Sequence, residues 1–451
     1  MPHVKTNRTS TLGFTKDNQT WIVDPGVRVA VNNDSAVLST WANSTLINYG
    51  RISASGVGAI YGVTFRGDGG SITNSGRISC ASPFGAAIFI DTFSDTTTVV
   101  RNLQGGIIKG VGGAIFCGDG NERIVNAGRI GDPGVGDGYV NLGGGNDVFI
   151  NFMKIGTKVI SGTVWGVIDL GTGDDTLRGG NKTEQVQDNG GSDTYKLGGG
   201  NDQYDAIAAA QGLVDGNDIV SGGPGIDVYN ALSATNDLQI NLDNVAHTDV
   251  DTVAANTAQG IDISGGFVFK DTVTGFEYAL GGAGHDQIFG NKAANILQGG
   301  GGPDGLYGFG GNDELDGGDG ADTLVGGKGA DVLDSGVGDF AADSFLYLSL
   351  ADSTAAKAGR DVINFFEDTL DIIKLDAVDA NTKNGGTTNE AFQFLGVDQP
   401  FTSDPGGLRV MTKDYGWLIQ ADVNGDKTAD FAIKVLDQNH TIIWSDADFV
   451  L

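Results

Sequence analysis

Residues 281–334 divide without a gap into six segments of nine residues, namely GGAGHDQIF, GNKAANILQ, GGGGPDGLY, GFGGNDELD, GGDGADTLV and GGKGADVLD. The eighth place is always aliphatic: Ile288, Leu297, Leu306, Leu315, Leu324 and Leu333. Glycines at the start of a segment favour a tight turn with positive φ, and the aliphatic residue is typical of a short strand with one buried face. The pattern predicts a parallel β-roll in which two segments complete one coil.

The sixth place of these segments predicts a metal site. Its residues are Asp286, Asn295, Asp304, Asp313, Asp322 and Asp331. Residues on one side of the roll stack one coil apart, at about the 4.8 Å spacing of neighbouring strands. Carboxylates at that distance repel unless a cation lies between them, and Ca²⁺ takes about six to eight oxygen ligands. We expect several Ca²⁺ ions along the array, with Asn295 departing from the pattern.

A looser set of similar segments lies upstream, at 142–150, 170–178, 188–205 and 213–230. Their sixth-place residues are further candidate Ca²⁺ ligands: Asp147, Asp175, Asp193, Asp202, Asp218 and Asp227. The irregular spacing between these blocks predicts that some sites are incomplete. Residues 231–280 interrupt the glycines with strand-like pieces, which we expect to form larger coils or a protruding loop.

Residues 281–334 resemble the RTX repeats of proteins exported by type I secretion. That resemblance implies an extracellular protein whose roll folds when Ca²⁺ binds. Residues 343–451 are similar to the C-terminal domain of serralysin-type metalloproteases, and their end, Asp448-Phe449-Val450-Leu451, looks like an uncleaved type I signal. The first residues, MPHVKTNRTSTLGF, contain no apolar segment of a cleavable signal peptide, so a type I exporter is the implied partner.

A longer period runs from about residue 45 to residue 170. Asparagines recur there at nearly regular intervals: Asn48, Asn74, Asn102, Asn126 and Asn151. Two strands for each period of about 26 residues predict a β-solenoid of about five coils, with the asparagines in a stacked ladder or in left-handed turns. This stretch resembles the β-helices of bacterial haemagglutinins and autotransporter passengers.

Together these patterns predict an all-β chain: an N-terminal β-helix that runs into a Ca²⁺-binding parallel β-roll, followed by a β capping domain. The expected segments are an N-terminal cap (1–40), β-helix coils (41–140), irregular RTX coils with an insertion (141–280), the regular roll (281–342) and the C-terminal domain (343–451).

Charge and missing motifs limit the possible functions. The formal net charge of −30 argues against binding nucleic acid or anionic membranes. HExxH and GxSxG are absent, and the four histidines (His3, His247, His285 and His440) lack zinc-ligand spacing. We expect a non-catalytic surface, matrix or adhesion protein. The alternative is a polysaccharide-modifying enzyme, a lyase or an epimerase, that uses the N-terminal β-helix.

One cationic feature suggests a further partner. Basic residues follow the recurring asparagines at similar places, and we expect them to form one outward stripe: Arg51, Arg77, Arg129 and Lys154. Such a stripe could bind an anionic extracellular polysaccharide. It could equally serve solubility and protect the strand rows.

Overall fold

The structure is a computed structural model that describes residues 1–92, 96–134, 136–206, 216–247, 253–261, 267–338, 340–384 and 389–451. Regular structure in these residues is β-strand apart from single-turn 3₁₀ helices at Lys357–Gly359, Thr382–Asn384 and Asp446–Asp448. The chain forms two compact units. Unit 1 comprises Met1–Tyr229 with Thr274–Phe276, and unit 2 comprises Asn230–Val273 with Glu277–Leu451.

Unit 1 is a parallel β-solenoid with three rows of strands. The first row contains His3–Val4, Thr20–Val23, Thr45–Asn48, Ser71–Asn74, Thr98–Asn102, Glu122–Asn126, Val148–Ile150, Thr176–Arg178, Thr194–Lys196 and Ile219–Ser221. The second row contains Arg28–Asn32, Arg51–Ser55, Arg77–Cys80, Ile107–Gly110, Arg129–Ile130 and Thr163–Val164. The third row contains Leu12–Gly13, Val37–Ser39, Val63–Phe65, Ile88–Ile90, Ile115–Cys117, Val140–Asn141, Val167–Asp169, Gln185–Gln187, Gln203–Asp205 and Val228–Asn230.

The β-helix coils therefore contain three strands each, where the sequence pattern predicted two. The first-row strand Thr45–Asn48 ends at Asn48, and the second-row strand begins at Arg51. Gly50 makes this corner possible, because a Cβ there would collide with the carbonyl of Val27 in the preceding coil. The coils also begin earlier than residue 41, since Thr20–Val23 already pairs in register with Thr45–Asn48.

Beyond Thr163–Val164 the described coils contribute strands to the first and third rows alone, and the coil shortens to the length of two repeat segments. In the first row Leu177 pairs with Tyr195, and in the third row Val186 pairs with Tyr204. Inward residues of both rows are almost completely buried. Burying a large apolar side chain contributes about 1.5–3 kcal/mol, so these stacks hold the coils together.

The asparagine ladder predicted from the sequence is confirmed. Each Asn Nδ2 donates to the Oδ1 of the asparagine one coil later, from Asn48 to Asn74 (2.8 Å), Asn74 to Asn102 (2.8 Å), Asn102 to Asn126 (2.9 Å) and Asn126 to Asn151 (2.7 Å). All five side chains are fully buried. An amide donates and accepts at once, so an identical residue can repeat at this position without unmatched polar atoms.

The predicted cationic stripe is wrong for Lys154. Arg51 does lie opposite Arg77, and Arg28 precedes them in the same register. Lys154, however, belongs to an antiparallel hairpin of Phe152–Ile155 and Lys158–Ser161, where it pairs with Val159. This hairpin follows Asn151 directly, so Thr163, not Lys154, takes the place opposite Arg129.

Unit 2 contains two parallel strand rows. One contains Asp237–Asn241, Gln287–Phe289, Gly305–Tyr307, Thr323–Val325, Ser344–Leu346, Ile372–Lys374 and Phe449–Val450. The other contains Tyr278–Leu280, Ile296–Gly301, Glu314–Asp319, Val332–Asp334, Val362–Asn364 and Phe431–Leu436. Between 287 and 334, successive strands of a row begin two repeat segments apart, as predicted for two segments per coil.

Further strands complete unit 2. Thr257–Ile261 pairs antiparallel with Asp237–Asn241 and with Phe267–Thr274. At the C-terminal end, Gln393–Val397, Gly407–Lys413, Gly416–Asp422 and Phe431–Leu436 form a sheet, and the last of these pairs with Val362–Asn364. This sheet covers the last parallel strand of its row, which would otherwise expose unpaired backbone groups.

Candidate calcium-binding turns

The sixth-place residues of the regular array form two ladders of carboxylates. On one side the backbone N–H of Asp286 donates to Asp304 Oδ1 (2.7 Å), and that of Asp304 donates to Asp322 Oδ1 (2.7 Å). On the other side the N–H of Asn295 donates to Asp313 Oδ1 (2.8 Å), and that of Asp313 to Asp331 Oδ1 (2.9 Å). One oxygen of each aspartate thus fixes the coil before it.

The second oxygen is the unusual one. In Asp304, Asp313 and Asp331 the Oδ2 atom is buried and has no hydrogen-bond partner, and these residues are at most 3% exposed. Buried carboxylate oxygens are nearly always hydrogen-bonded, because an unpaired charge away from water is costly. The same atom recurs without a protein partner at three sixth-place residues of the array, and oxygens in this arrangement can serve as ligands of a cation.

Burial also raises the pKa of these groups. The pKa rises to about 8 for Asp304, about 7 for Asp313 and about 6 for Asp331, and loss of solvation is the largest cause in each case. Repulsion from the stacked neighbour adds to the rise, as between Asp313 and Asp331. At neutral pH such a turn must therefore take up protons or a cation.

The first-place glycines leave room beside the carboxylates. A Cβ on Gly299, Gly308 or Gly326 would collide with the Oδ2 atom of the aspartate five residues later. The second-place glycine has positive φ, for example 107° at Gly300 and 96° at Gly318, which L side chains rarely adopt. The glycine pattern is thus a requirement of the site as well as of the turn.

Asn295 differs from the other rungs because it is an amide at the start of its ladder and donates a hydrogen bond to the coil before it. Its Oδ1 accepts the N–H of Asn291 (2.8 Å), and its Nδ2 donates to the carbonyl of Glu277 one coil earlier (3.1 Å). An amide can donate to that carbonyl, whereas a carboxylate cannot. Asn295 therefore begins its ladder without an unmatched atom, and any ion beside it has one anionic ligand fewer.

The six upstream candidates form two more ladders despite their irregular spacing. Backbone N–H groups of Asp147, Asp175 and Asp193 donate to the Oδ1 of Asp175, Asp193 and Asp218, at 2.6, 2.6 and 2.8 Å. The N–H of Asp202 donates to Asp227 Oδ1 (2.8 Å). The rungs are continuous although successive residues of the first ladder are 28, 18 and 25 positions apart in the sequence. The Oδ2 atoms of Asp147, Asp175 and Asp202 are buried without a partner.

Two upstream rungs were missed in the sequence. Glu122 N–H donates to Asp147 Oδ1 (2.6 Å), and Glu184 N–H donates to Asp202 Oδ1 (2.7 Å). In both glutamates Oε2 is buried without a partner, and burial raises the pKa of Glu184 to about 8 and that of Glu122 to about 7. The segment GGNKTEQVQ (179–187) carries Glu184 in its sixth place and Val186 in its eighth, so it could have been recognised as a repeat.

Three downstream rungs also lie beyond the predicted array. Asp322 N–H donates to Asp343 Oδ1 (2.8 Å), Asp343 N–H to Asp371 Oδ1 (3.0 Å), and Asp331 N–H to Asp361 Oδ1 (2.9 Å). Each acid precedes an inward apolar residue by two positions, as in the repeats, but the pair of glycines that opens most repeat segments is missing. That acid-to-apolar spacing was the available signal.

One upstream turn brings a third carboxylate into the ladder. Oxygens of Asp188, Asp193 and Asp218 all lie within 4.8 Å of one another, and all three residues are buried. Tyr195 Oη lies 2.9 Å from both Asp188 Oδ1 and Asp193 Oδ2 and can donate its single proton to either of them. Tyr204 Oη donates to Asp218 Oδ2 (2.9 Å). Tyrosine replaces the usual aliphatic residue here, so its hydroxyl reaches the turn from the core.

One family model matches the part of the chain that contains the carboxylate ladders. The family model of the RTX calcium-binding nonapeptide repeat matches residues 169–204, 215–229, 271–306 and 307–339. No curated protein matches the chain. Matching solved structures include the AlgE6R3 subunit of the Azotobacter vinelandii mannuronan C5-epimerase, at 23% identity and TM-score 0.19, covering 37% of this chain and 77% of that one. The AlgE6R2 subunit of the same enzyme matches at 24% identity and TM-score 0.20, covering 35% and 91%.

Within the described residues, no helix is long and apolar enough to cross a membrane.

The family match includes both regions in which carboxylates stack at intervals of two repeat segments. The chain therefore carries RTX calcium-binding repeats, and these repeats form a parallel β-roll.

Proposed function

We propose that this chain is an extracellular protein whose roll folds when Ca²⁺ enters the stacked turns. The observation that carries the proposal is the set of buried, unpartnered oxygens of Asp304, Asp313 and Asp331. The proposed ligands are the twelve sixth-place residues predicted from the sequence, together with Glu122, Glu184, Asp343, Asp361 and Asp371. Because these turns are not stable as stacked anions, the free energy of metal binding contributes directly to folding.

A calcium titration of the full chain tests this function. We expect β-type circular dichroism and compaction to appear as Ca²⁺ is added to chelated protein, and Mg²⁺ at the same concentration to be a poor substitute, because it demands a tighter octahedral shell. Equal β content in chelator and in Ca²⁺ would contradict the proposal.

We also propose secretion through a type I exporter. The support is the resemblance of the repeats and of residues 343–451 to exported proteins, together with the calcium dependence itself. Low cytosolic Ca²⁺ would leave the roll unfolded, so that the C-terminal side of the chain could enter the exporter first, and extracellular Ca²⁺ would fold the roll. Removing 392–451 should trap the chain in a host with such an exporter, whereas removing 1–40 should not. Export of the C-terminally truncated chain would refute this part.

Outside the cell we propose a non-catalytic surface or matrix role. A solenoid presents long, regular strand rows to its surroundings, and such surfaces suit extended partners. An anionic polysaccharide is the partner proposed for this role, since arginines project from one row of unit 1.

A further inference from the structure

A shallow groove of about 580 Å³ lies on the second row of unit 1. Its lining includes Arg28 and Arg77, three serines (Ser53, Ser55 and Ser79), and Lys109 with its ion-pair partner Asp137. Arg51 is not a lining residue, but it lies between Arg28 and Arg77 in the strand register, at the border of the groove. The serines alternate with the arginines along the strands, since Arg28, Arg51 and Arg77 occupy one register position and Ser53 pairs with Ser79 two residues later. Residues two apart in a strand point to the same face, so cations and hydroxyls share the outer surface.

The three arginines of this register form a row of like charges. Neighbouring strands are about 4.8 Å apart, and like charges directly opposite one another are destabilising. In the described part of the chain, none of Arg28, Arg51 and Arg77 has a carboxylate within 4.0 Å. The chain has 57 acidic residues, so a shortage of acidic side chains does not explain why these three arginines form no ion pairs.

The other two cations of this face, by contrast, form ion pairs with acids, although they belong to the same strand row as the three arginines. Lys109 pairs with Asp132 and with Asp137 (3.2 Å), and Arg129 pairs with Asp132 (2.7 Å). Hydrogen bonding to Lys109 lowers the pKa of Asp132. The available positive charge is therefore concentrated at Arg28, Arg51 and Arg77.

We propose that this groove binds a linear polyuronate, with one carboxylate opposite each arginine and sugar hydroxyls on the serines. A chain of uronic acid residues carries one carboxylate per sugar ring, and the arginines of the row recur once per strand, about 4.8 Å apart. No aromatic side chain lines the groove among the residues that the structure describes, so it lacks the stacking platform typical of sites for single-stranded nucleic acid. The inference rests on the surface role proposed above and names its partner and binding residues.

The test compares two variants of equal charge in the full, calcium-loaded chain. The first is Arg28→Ala/Arg51→Ala/Arg77→Ala. The control is Arg101→Ala/Arg123→Ala/Arg178→Ala, which removes three arginines from the first row of the same unit. Titration with a 1,4-linked hexauronate should show binding by the native chain, a loss of about tenfold or more in affinity for the groove variant, and a change within about twofold for the control. A neutral hexasaccharide of the same linkage should not bind.

Two further readouts keep the result interpretable. In Ca²⁺ the groove variant should unfold at the same temperature as the native chain or at a higher one, because it loses a row of like charges. A lower unfolding temperature together with lost binding would contradict the claim that the three arginines lack neutralising partners. Equal loss in both variants, or binding of single-stranded DNA but not of the hexauronate, would overturn the assignment. Calcium-induced β content, measured in parallel, reports separately on the proposed folding function.

Discussion

At the scale of the residue, the sixth-place aspartate does two things with two oxygens. Asp313 Oδ1 accepts the N–H of Asn295 and so fixes the distance between coils, while its Oδ2 remains buried without a partner. A side chain with only one of these abilities would support the turn or bind the ion, but not both. Asparagine at this position keeps the first ability and loses the charge.

The variant Asp313→Asn keeps the hydrogen bond between coils and removes the charge that would bind the ion, so it separates these two roles of the side chain. We expect the roll still to form at saturating Ca²⁺, with an affinity lower by roughly tenfold or more, because loss of a metal ligand or of its support costs about 10–100-fold. The matched control is Asp414→Asn, an exposed residue of a hairpin turn outside the ladders. Calcium titrations that coincide for the two variants would refute the register assigned to Asp313.

At the scale of the element, unit 1 contains two kinds of ladder that meet at one residue. Asn151 Nδ2 donates to Glu184 Oε1 (2.6 Å), and Glu184 N–H donates to Asp202 Oδ1. Before this junction, the amides of the asparagine ladder satisfy one another. After it, rungs such as Asp202, Asp304 and Asp313 leave a buried carboxylate oxygen without a protein partner. The β-helix coils should therefore be stable without Ca²⁺, and the roll should not.

The amide ladder can be tested at its centre. Asn102→Ala removes the acceptor of one Asn74 N–H and the donor to one Asn126 lone pair, which stay buried and unsatisfied although Asn74 Nδ2 still donates to the carbonyl of Ile107 and Asn126 Oδ1 still accepts the N–H of Gly128. Each unsatisfied buried group costs about 1–3 kcal/mol, so we expect unit 1 to lose roughly 2–4 kcal/mol of unfolding free energy. Chemical denaturation in Ca²⁺ measures this loss. Asn32→Ala, at an exposed strand end, should change stability by less than about 0.5 kcal/mol.

At the scale of the whole molecule, the parts with a short exact repeat were predictable from the sequence. The coil of two segments and the burial of Leu306 follow from local spacing, and so did the asparagine ladder. The rungs Asp343 and Asp361 were missed because their segments lack the opening pair of glycines. Extra residues before each of them also lengthen the spacing from 18 to 21 and 30 residues, which hides the period. Lys154 was misplaced because a hairpin after Asn151 shifts the register, which one sequence cannot reveal.

The stacked carboxylates predict that calcium-free protein responds to pH in an unusual direction. Burial raises the pKa of Asp147 to about 9, Asp304 to about 8 and Asp361 to about 9 in the folded state, far above the values of an unfolded chain. The folded state then binds more protons than the unfolded state, so its stability is fully present below the unfolded pKa, near 4, and is lost as pH rises toward 8–9.

In chelator we therefore expect more β structure at about pH 5 than at about pH 8, measured by circular dichroism at low protein concentration. In the presence of calcium the order reverses, because protons compete with Ca²⁺ for the same oxygens: the Ca²⁺ concentration at the folding midpoint should rise as pH falls. A calcium-free protein that gains structure as pH rises would contradict this account of the buried oxygens.

The central claim is that Ca²⁺ stabilises the carboxylate ladders while the amide ladder needs no ion. Hydrogen exchange followed by mass spectrometry, on the full chain with Ca²⁺ and after chelation at neutral pH, tests it most directly, because it reports protection segment by segment. The account predicts that chelation removes protection from peptides within 170–205 and 281–334 and leaves peptides within 45–92 and 98–117, which precede the first carboxylate rung at Glu122, protected. Unchanged protection of 281–334 after chelation would contradict it.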